Sequence, residues 1–357
     1  MTGLPKVAVA MSGGVDSSVA AALLVEQGYP VIGLMLRLWS EPGSENANRC
    51  CTPDAMAQAR KVASQLGIPF YAIDARDRFH DTVVQAFLNG YSSGITPNPC
   101  VSCNRLIRWG LLLETGQAMG AEKMATGHYA RLQTLDDGTV QLKKGIDPRK
   151  DQSYVLSALT QEQLRHTILP LGDLEKPHVR ELARKFGLAV AERPESQDLC
   201  FLAGEDYRTF LSRNFEHIAR RGPIADRQGK VLGEHEGLAF FTIGQRKGIK
   251  IASSKALYVI DKNVERNTLV VGPVSELGRT TLIANNLNWI AGADPGGAFT
   301  ADVKIRYKAE LATATITPGG SESARVEFHS PVRGITAGQL AVFYQGDVVI
   351  GSGIISH

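Results

Sequence analysis

Cysteine is scarce in this chain: there are five, and none after Cys200. That scarcity excludes a disulfide-stapled secreted scaffold and confines any sulfur chemistry to the N-terminal part. No apolar run is long enough to span a bilayer, and the N-terminus enters a strand-like segment without a signal-peptide core. The expectation is a cytoplasmic protein with no membrane partner, where cysteines are more often reactive or metal-binding than structural. Net charge is only +3, so a nucleic-acid surface has to be a local patch rather than a global field. Fixed-period repeats and low-complexity tracts are missing too. What remains is 357 residues, 43% hydrophobic and 21% charged, a globular composition with room for two or three cores.

Two common nucleotide signatures are also absent: the Gly-Lys-Ser/Thr ending of a Walker loop, and G-x-G-x-x-G. Instead, residues 7–18 read Val-Ala-Val-Ala-Met-Ser-Gly-Gly-Val-Asp-Ser-Ser. The apolar run breaks at Ser12-Gly13-Gly14 and restarts as a helix with Val15, Val19, Ala22 and Leu23 on one face. A strand, a glycine turn and a helix N-terminus present backbone N–H groups to a phosphate. An ordinary βα turn is the plainer alternative.

The same alternation continues. Strands are expected at Lys6–Met11, Val31–Trp39, Pro69–Asp74 and Lys123–Ala125, and helices at Pro53–Leu66, Asp77–Tyr91 and Arg105–Met119. This order predicts a parallel sheet covered by helices, with ligands beyond the carboxyl ends of its strands. Ser12, Leu36 and Thr126-Gly127-His128 fall at such ends. A hairpin is expected over Leu132–Leu142 around Asp137-Gly138, then helices at Gln161–His166 and His178–Phe186. From about residue 206 the texture changes to one helix, Asp206–Ala219, and glycine-punctuated strands. Beyond about 275, short strands at Ala301–Lys308, Ala312–Thr317, Arg325–Phe328, Ala341–Tyr344 and Val348–Ile355 suggest a small antiparallel barrel or sandwich. The expected division is 1–205, 206–275 and 276–357.

Chemistry is offered at several places. In Thr96-Pro97-Asn98-Pro99-Cys100-Val101-Ser102-Cys103-Asn104, the prolines imply an extended approach and a helix beginning near Asn104. Cys103 near a helix N-terminus would favour the thiolate. This C-x-x-C reads as a structural zinc pair, as two buried apolar cysteines, or as a reactive or cluster-binding pair; zinc lacks a second C-x-x-C. Cys200 follows Pro194-Glu195-Ser196-Gln197-Asp198-Leu199, and Cys50-Cys51 lies in a polar loop. Thr126-Gly127-His128-Tyr129 is either a turn with a satisfied histidine or a wall of the nucleotide site. Asp147-Pro148-Arg149-Lys150-Asp151-Gln152-Ser153-Tyr154 is a charged loop entering a helix, with Asp151 or Ser153 as cap. Lys304, Arg306 and Lys308 alternate with Val303, Ile305 and Tyr307, which reads as a strand with one cationic face suited to phosphates, or as a solvated barrel face.

Ser12-Gly13-Gly14-Val15-Asp16-Ser17 resembles the PP-loop of ATP pyrophosphatases. With Thr96–Pro99, Cys103-Asn104, Ala125–Tyr129, Lys150–Tyr154, Leu199-Cys200-Phe201, Gly244-Gln245-Arg246-Lys247-Gly248 and Gly338-Gln339, nearly the whole chain resembles the tRNA-specific 2-thiouridylase family. The resemblance implies an α/β fold. A PP-loop domain of the adenine nucleotide alpha hydrolase kind comes first, then a small central domain and a C-terminal antiparallel β-barrel. It implies an enzyme that adenylates the C2 oxygen of a wobble uridine with ATP, Asp16 helping to position Mg²⁺, and replaces that oxygen by sulfur. ATP contacts carry over to Ala10, Met11, Ser12, Gly13, Gly14, Val15, Asp16, Ser17, Leu36 and Gly127. Cys200 is implied as the persulfide carrier and Cys103 as the nucleophile that resolves it, leaving a Cys103–Cys200 disulfide. Asn98, Pro99 and Cys100 would line the flipped base, and His128, Lys150, Asp151, Gln152, Arg306, Tyr307 and Gln339 would touch tRNA. The implied partners are tRNA and a sulfur-donor protein, a cysteine desulfurase or a sulfur relay.

One departure matters. Some family members carry Asp where this chain has Cys100, and the third thiol opens a route through a [4Fe–4S] cluster on Cys100, Cys103 and Cys200. A different PP-loop ligase or a nucleotide-sensing RNA-binding protein would leave these cysteines without a task.

Overall fold

The computed structural model describes residues 3–41, 52–194, 199–202, 204–215, 218–320 and 322–356; Cys50, Cys51 and positions 195–198 lie outside them. The first seven strands are β1 (Val7–Ala10), β2 (Val31–Arg37), β3 (Phe70–Asp74), β4 (Lys123–Ala125), β5 (Ala130–Thr134), β6 (Val140–Lys144) and β7 (Thr167–Ile168). Five of them form a parallel sheet in the order β3-β2-β1-β4-β7. β1 and most of β2 are buried on both faces, which is why they read as unbroken apolar runs. The chain builds outward from β1 to β3 and then returns to add β4 on the other side of β1. Loops after β1 and β4 therefore leave adjacent strand ends in a topological switch point, where such sheets open a cleft.

Of the two helices that follow β3, one matches its expected bounds and one does not. The chain is helical throughout 76–92, with a wider π-type turn at His80–Val84. It is helical again from Pro99 to Ala118, with a π-type run over Cys103–Leu112. The expected start near Asn104 is thus wrong by about a turn. Pro99 occupies the first helical position, where a missing N–H costs nothing, and Asn98 takes the extended cap position. Cys100 and Cys103 both ride on the helix.

The remaining strands are β8 (Gly222–Ala225), β9 (Val231–His235), β10 (Tyr258–Asn263), β11 (Thr268–Gly272), β12 (Gly278–Trp289), β13 (Phe299–Lys304), β14 (Ala312–Pro318), β15 (Ser323–Arg333), β16 (Leu340–Gln345) and β17 (Val348–Ser356). The central region forms the four-stranded sheet β10-β11-β8-β9, preceded by a helix that stops at Asn214 rather than running to Ala219. At the end, β12-β15-β14-β13-β16-β17 closes on itself through β12–β17 pairing, a barrel rather than a sandwich. The β5–β6 hairpin forms as expected, but β17 pairs with β6, so this hairpin extends the barrel sheet.

The cationic strand is a further correction. β13 ends at Lys304, and the chain turns at Arg306, whose carbonyl accepts from the Ala309 amide at 3.0 Å. Lys304, Arg306 and Lys308 therefore do not share a strand face. One hydrophobic core joins Leu34 and Ile107 of the first domain to Phe240 and Val259 of the central region and Val342 of the barrel.

Candidate active site

The turn 11–14 leaves β1 at the switch point, next to the end of β4. Met11 N donates to Leu34 O at 2.7 Å, which continues the sheet to the last residue before the turn. Gly13 has φ +70, and a Cβ there would lie 2.2 Å from the Ala55 carbonyl oxygen. Glycine is therefore needed twice over, for the backbone angle and for the close approach. Ser17 accepts from Ser12 N at 3.1 Å and Ser18 Oγ donates to Gly14 O at 2.9 Å, locking the turn onto the start of the helix Val15–Glu26. Gly127, after β4, closes the other side: a Cβ there would sit 2.7 Å from the Asp16 carbonyl carbon and the Ser17 nitrogen. Leu36 is buried at the end of β2.

Three further side chains meet this turn, of which the sequence reading names only Tyr129. Lys176 Nζ lies 2.6 Å from Asp16 Oδ1, and Tyr129 donates its hydroxyl to the same oxygen at 2.7 Å. Arg193 donates to the Gly13 carbonyl at 3.0 Å and pairs with Asp54 at 2.8 Å. A sequence signal for Lys176 exists in hindsight: a lysine at the first position of a helix opposes the helix dipole and needs an anion nearby.

The cysteine loop stands beside the barrel. Thr96 N donates to Ala337 O at 2.9 Å, and Gln339 Nε2 donates to Thr96 O at 2.8 Å. Tyr154 donates to Leu340 O at 3.1 Å and shares a side-chain hydrogen bond with Asn98; burial pushes its phenol well above the ordinary range. Pro99 is buried, Asn98 half-buried and Cys100 exposed, whereas Cys103 is buried in the core. Cys200 opens a short turn, Cys200–Leu202, and packs against the same core as Cys103. Phe201 anchors that turn among Phe79, Phe87 and Phe210, at centroid distances of 6.1, 5.2 and 5.5 Å. Among the described residues, no three His, Cys, Asp or Glu side chains gather as a metal-holding group. Cys100 is exposed, Cys103 buried and Cys200 half-buried.

Several residues expected on an RNA surface are engaged inside the protein. His128 is buried, with Nδ1 2.7 Å from Thr126 Oγ1 and Nε2 3.3 Å from Arg108. Burial, and secondarily the Arg108 charge, bring its pKa down to about 3; the ring is neutral. Asp151 accepts from Gly145 N, Ser153 N and Ser153 Oγ, and Gln152 accepts from Tyr129 N at 3.0 Å. Arg306 donates to Ile243 O at 2.7 Å and to Thr336 Oγ1, tying the barrel to the central region. Tyr307 stays 37% exposed, with Lys304 Nζ 5.9 Å from its ring, and Lys150 is half-buried. No helix among the described residues is long and apolar enough to cross a membrane.

Comparison with known proteins places the chain in a family. Residues 5–204 match the family model of the tRNA methyl transferase HUP domain, 208–273 the tRNA methyl transferase PRC-barrel domain, and 279–355 the aminomethyltransferase beta-barrel domain. The chain is similar to the tRNA-specific 2-thiouridylase MnmA of Heliobacterium modesticaldum, 48% identical over 98% of this chain and 92% of that one. Its counterpart in Desulfitobacterium hafniense is 46% identical over 99% of both, and that of Moorella thermoacetica 47% identical over 97% and 98%. Identity of this order, carried along all three sheets, means that the chain belongs to the tRNA-specific 2-thiouridylase family.

Proposed function

We propose that this protein converts a wobble uridine of tRNA to 2-thiouridine, using ATP to activate the C2 oxygen. The observation that carries the reading is the approach of Gly127 to the Asp16–Ser17 backbone, which sets the β4 end directly against the glycine turn and the helix N-terminus. Ala10 to Ser17, Leu36 and Gly127 are the ATP-contacting residues in this reading. The turn's amides, at a helix N-terminus, stabilise the charge that develops on pyrophosphate as it leaves. Magnesium in such sites needs only one or two carboxylates besides the phosphates, and Asp16 is the oxygen donor that fits. When bound, the ion neutralises phosphate charge.

The uridine oxygen attacks the α-phosphorus, the bond to the β-phosphate oxygen breaks, and N3 gives up its proton. A persulfide on Cys200 then attacks C2 and AMP leaves with the former uridine oxygen. The Cys103 thiolate attacks Cys200 Sγ, so that the sulfur stays on the base and a Cys103–Cys200 disulfide forms, which a dithiol reduces by two electrons. A sulfur-donor protein reloads Cys200. No step is routed through an iron–sulfur cluster. Methyl transfer, the wording of two matching domain models, leaves Cys103 and Cys200 without a shared task.

Asn98, Pro99 and Cys100 line the flipped base, and Lys150, Tyr307 and Lys304 face the RNA. His128, Asp151, Gln152, Arg306 and Gln339 shape that surface from within. The three units are 1–205, 206–275 and 276–357, and the site of action is the cytoplasm. Pyrophosphate release measured with and without unmodified tRNA tests the reading: release that depends on tRNA supports it, and none with tRNA present contradicts it.

A further inference from the structure

Residues 11–18 contain no lysine or arginine, so a cation for the triphosphate has to reach the loop from elsewhere. Two side chains do. Arg193 is committed to Gly13 O and Asp54 and braces the turn. Lys176 is only 7% exposed, and its ammonium meets Asp16 Oδ1 at 2.6 Å beneath the face of Tyr129, 5.8 Å from the ring centroid. Its backbone N donates to the buried Asp147 carboxylate at 3.1 Å, which fixes where the side chain starts. The ammonium thus stands at the N-terminus of its own helix and beside that of Val15–Glu26. Both ends carry partial positive charge, so the position suits a cation only while an anion is present. Asp16 is that anion here, and it is also the carboxylate that suits a magnesium ion.

We propose that Lys176 is a phosphate-binding residue that exchanges partners. Without nucleotide it neutralises Asp16; with nucleotide, Asp16 turns to the metal and Lys176 holds the β- and γ-phosphates, then the pyrophosphate they become. This rests on the ATP-using reading above and adds a residue to it. A merely structural ion pair between two helices is the competing account.

Binding calorimetry with ATP, AMP and inorganic pyrophosphate separates the two on the full chain. Lys176→Gln should weaken ATP and pyrophosphate by about 10- to 100-fold, the loss of one charge-assisted contact, and AMP by less than about threefold. Equal loss for ATP and AMP, or no loss for ATP, overturns the proposal. Asp16→Asn provides the second test should Lys176→Gln fail to fold. Freed of its carboxylate, Lys176 should bind metal-free pyrophosphate more tightly than in the wild type; unchanged or weaker binding overturns the proposal. Wild-type protein that binds neither ATP nor pyrophosphate would instead sink the ATP reading itself.

Discussion

Gln339 of the barrel donates to the Thr96 carbonyl at 2.8 Å, across 243 residues of sequence. Beside it Gly338, at φ +90, approaches so closely that a Cβ would lie 2.9 Å from the same carbonyl. The barrel thereby grips the loop that leads to Asn98, Pro99 and Cys100. Removing the grip with Gln339→Ala should speed amide hydrogen exchange across 95–103 and leave 11–18 unchanged, with thiolation slowed by about 10-fold, the scale of one lost hydrogen bond. Unaltered exchange in 95–103 would show that the loop holds itself.

Cys103→Ser and Cys200→Ser should each abolish 2-thiouridine formation in nucleoside mass spectrometry. Binding to tRNA should change by less than about threefold, because the phosphate-facing residues lie elsewhere. Iron and acid-labile sulfide in anaerobically purified protein, lost together with Cys100, would transfer the chemistry to a cluster and contradict the persulfide account.

His128 sets a pH dependence whose sign follows from its neutral, buried state. Its pKa is about 3 when folded and near 6.5 when exposed, so between those values the unfolded chain binds the extra proton. Its contribution is complete above pH 6.5 and falls by about 1.4 kcal/mol per pH unit below it, down to the folded value. Urea unfolding at pH 7 and pH 5 should therefore show a smaller pH effect in His128→Gln than in the wild type. Equal pH effects would place the histidine's stabilisation elsewhere.

Lys304 and Arg306 should separate when mutated singly. Lys304→Ala, and Tyr307→Ala beside it, should weaken tRNA binding, and Lys304→Ala should also lower its salt slope by about one counterion. Arg306→Ala should chiefly lower Tm, since its guanidinium bonds Ile243 O and Thr336. The reverse pattern would restore the cationic strand that the turn at Arg306 interrupts.

Much of this architecture is legible in the sequence, for identifiable reasons. The parallel sheet shows because β1 and β2 are apolar on both faces, and the nucleotide turn because Gly13 and Gly14 sit between a strand and a helix. Less legible is anything settled by distant contact. Lys176 meets Asp16 from 160 residues away, and no local pattern announces a pair of that separation. The helix start at Pro99 is misread because Pro97 and Pro99 look alike locally, while only Pro99 sits at a first helical position. His128, Asp151 and Gln152 carry the polarity of surface residues; the packing of His128 on Trp109 and the hydrogen bonds that Asp151 and Gln152 accept from Gly145 N and Tyr129 N show only in three dimensions. The β5–β6 hairpin is visible as a hairpin, but its pairing with β17 is not.

The central claim is that one protein couples ATP cleavage to sulfur delivery on a tRNA base. Its most direct test follows pyrophosphate and 2-thiouridine together in reactions containing ATP, unmodified tRNA and a persulfide donor. Both products should form with wild-type protein, and Cys200→Ser should still release pyrophosphate on tRNA addition while making no 2-thiouridine. Pyrophosphate release indifferent to tRNA, or 2-thiouridine formed without Cys200, would contradict the account.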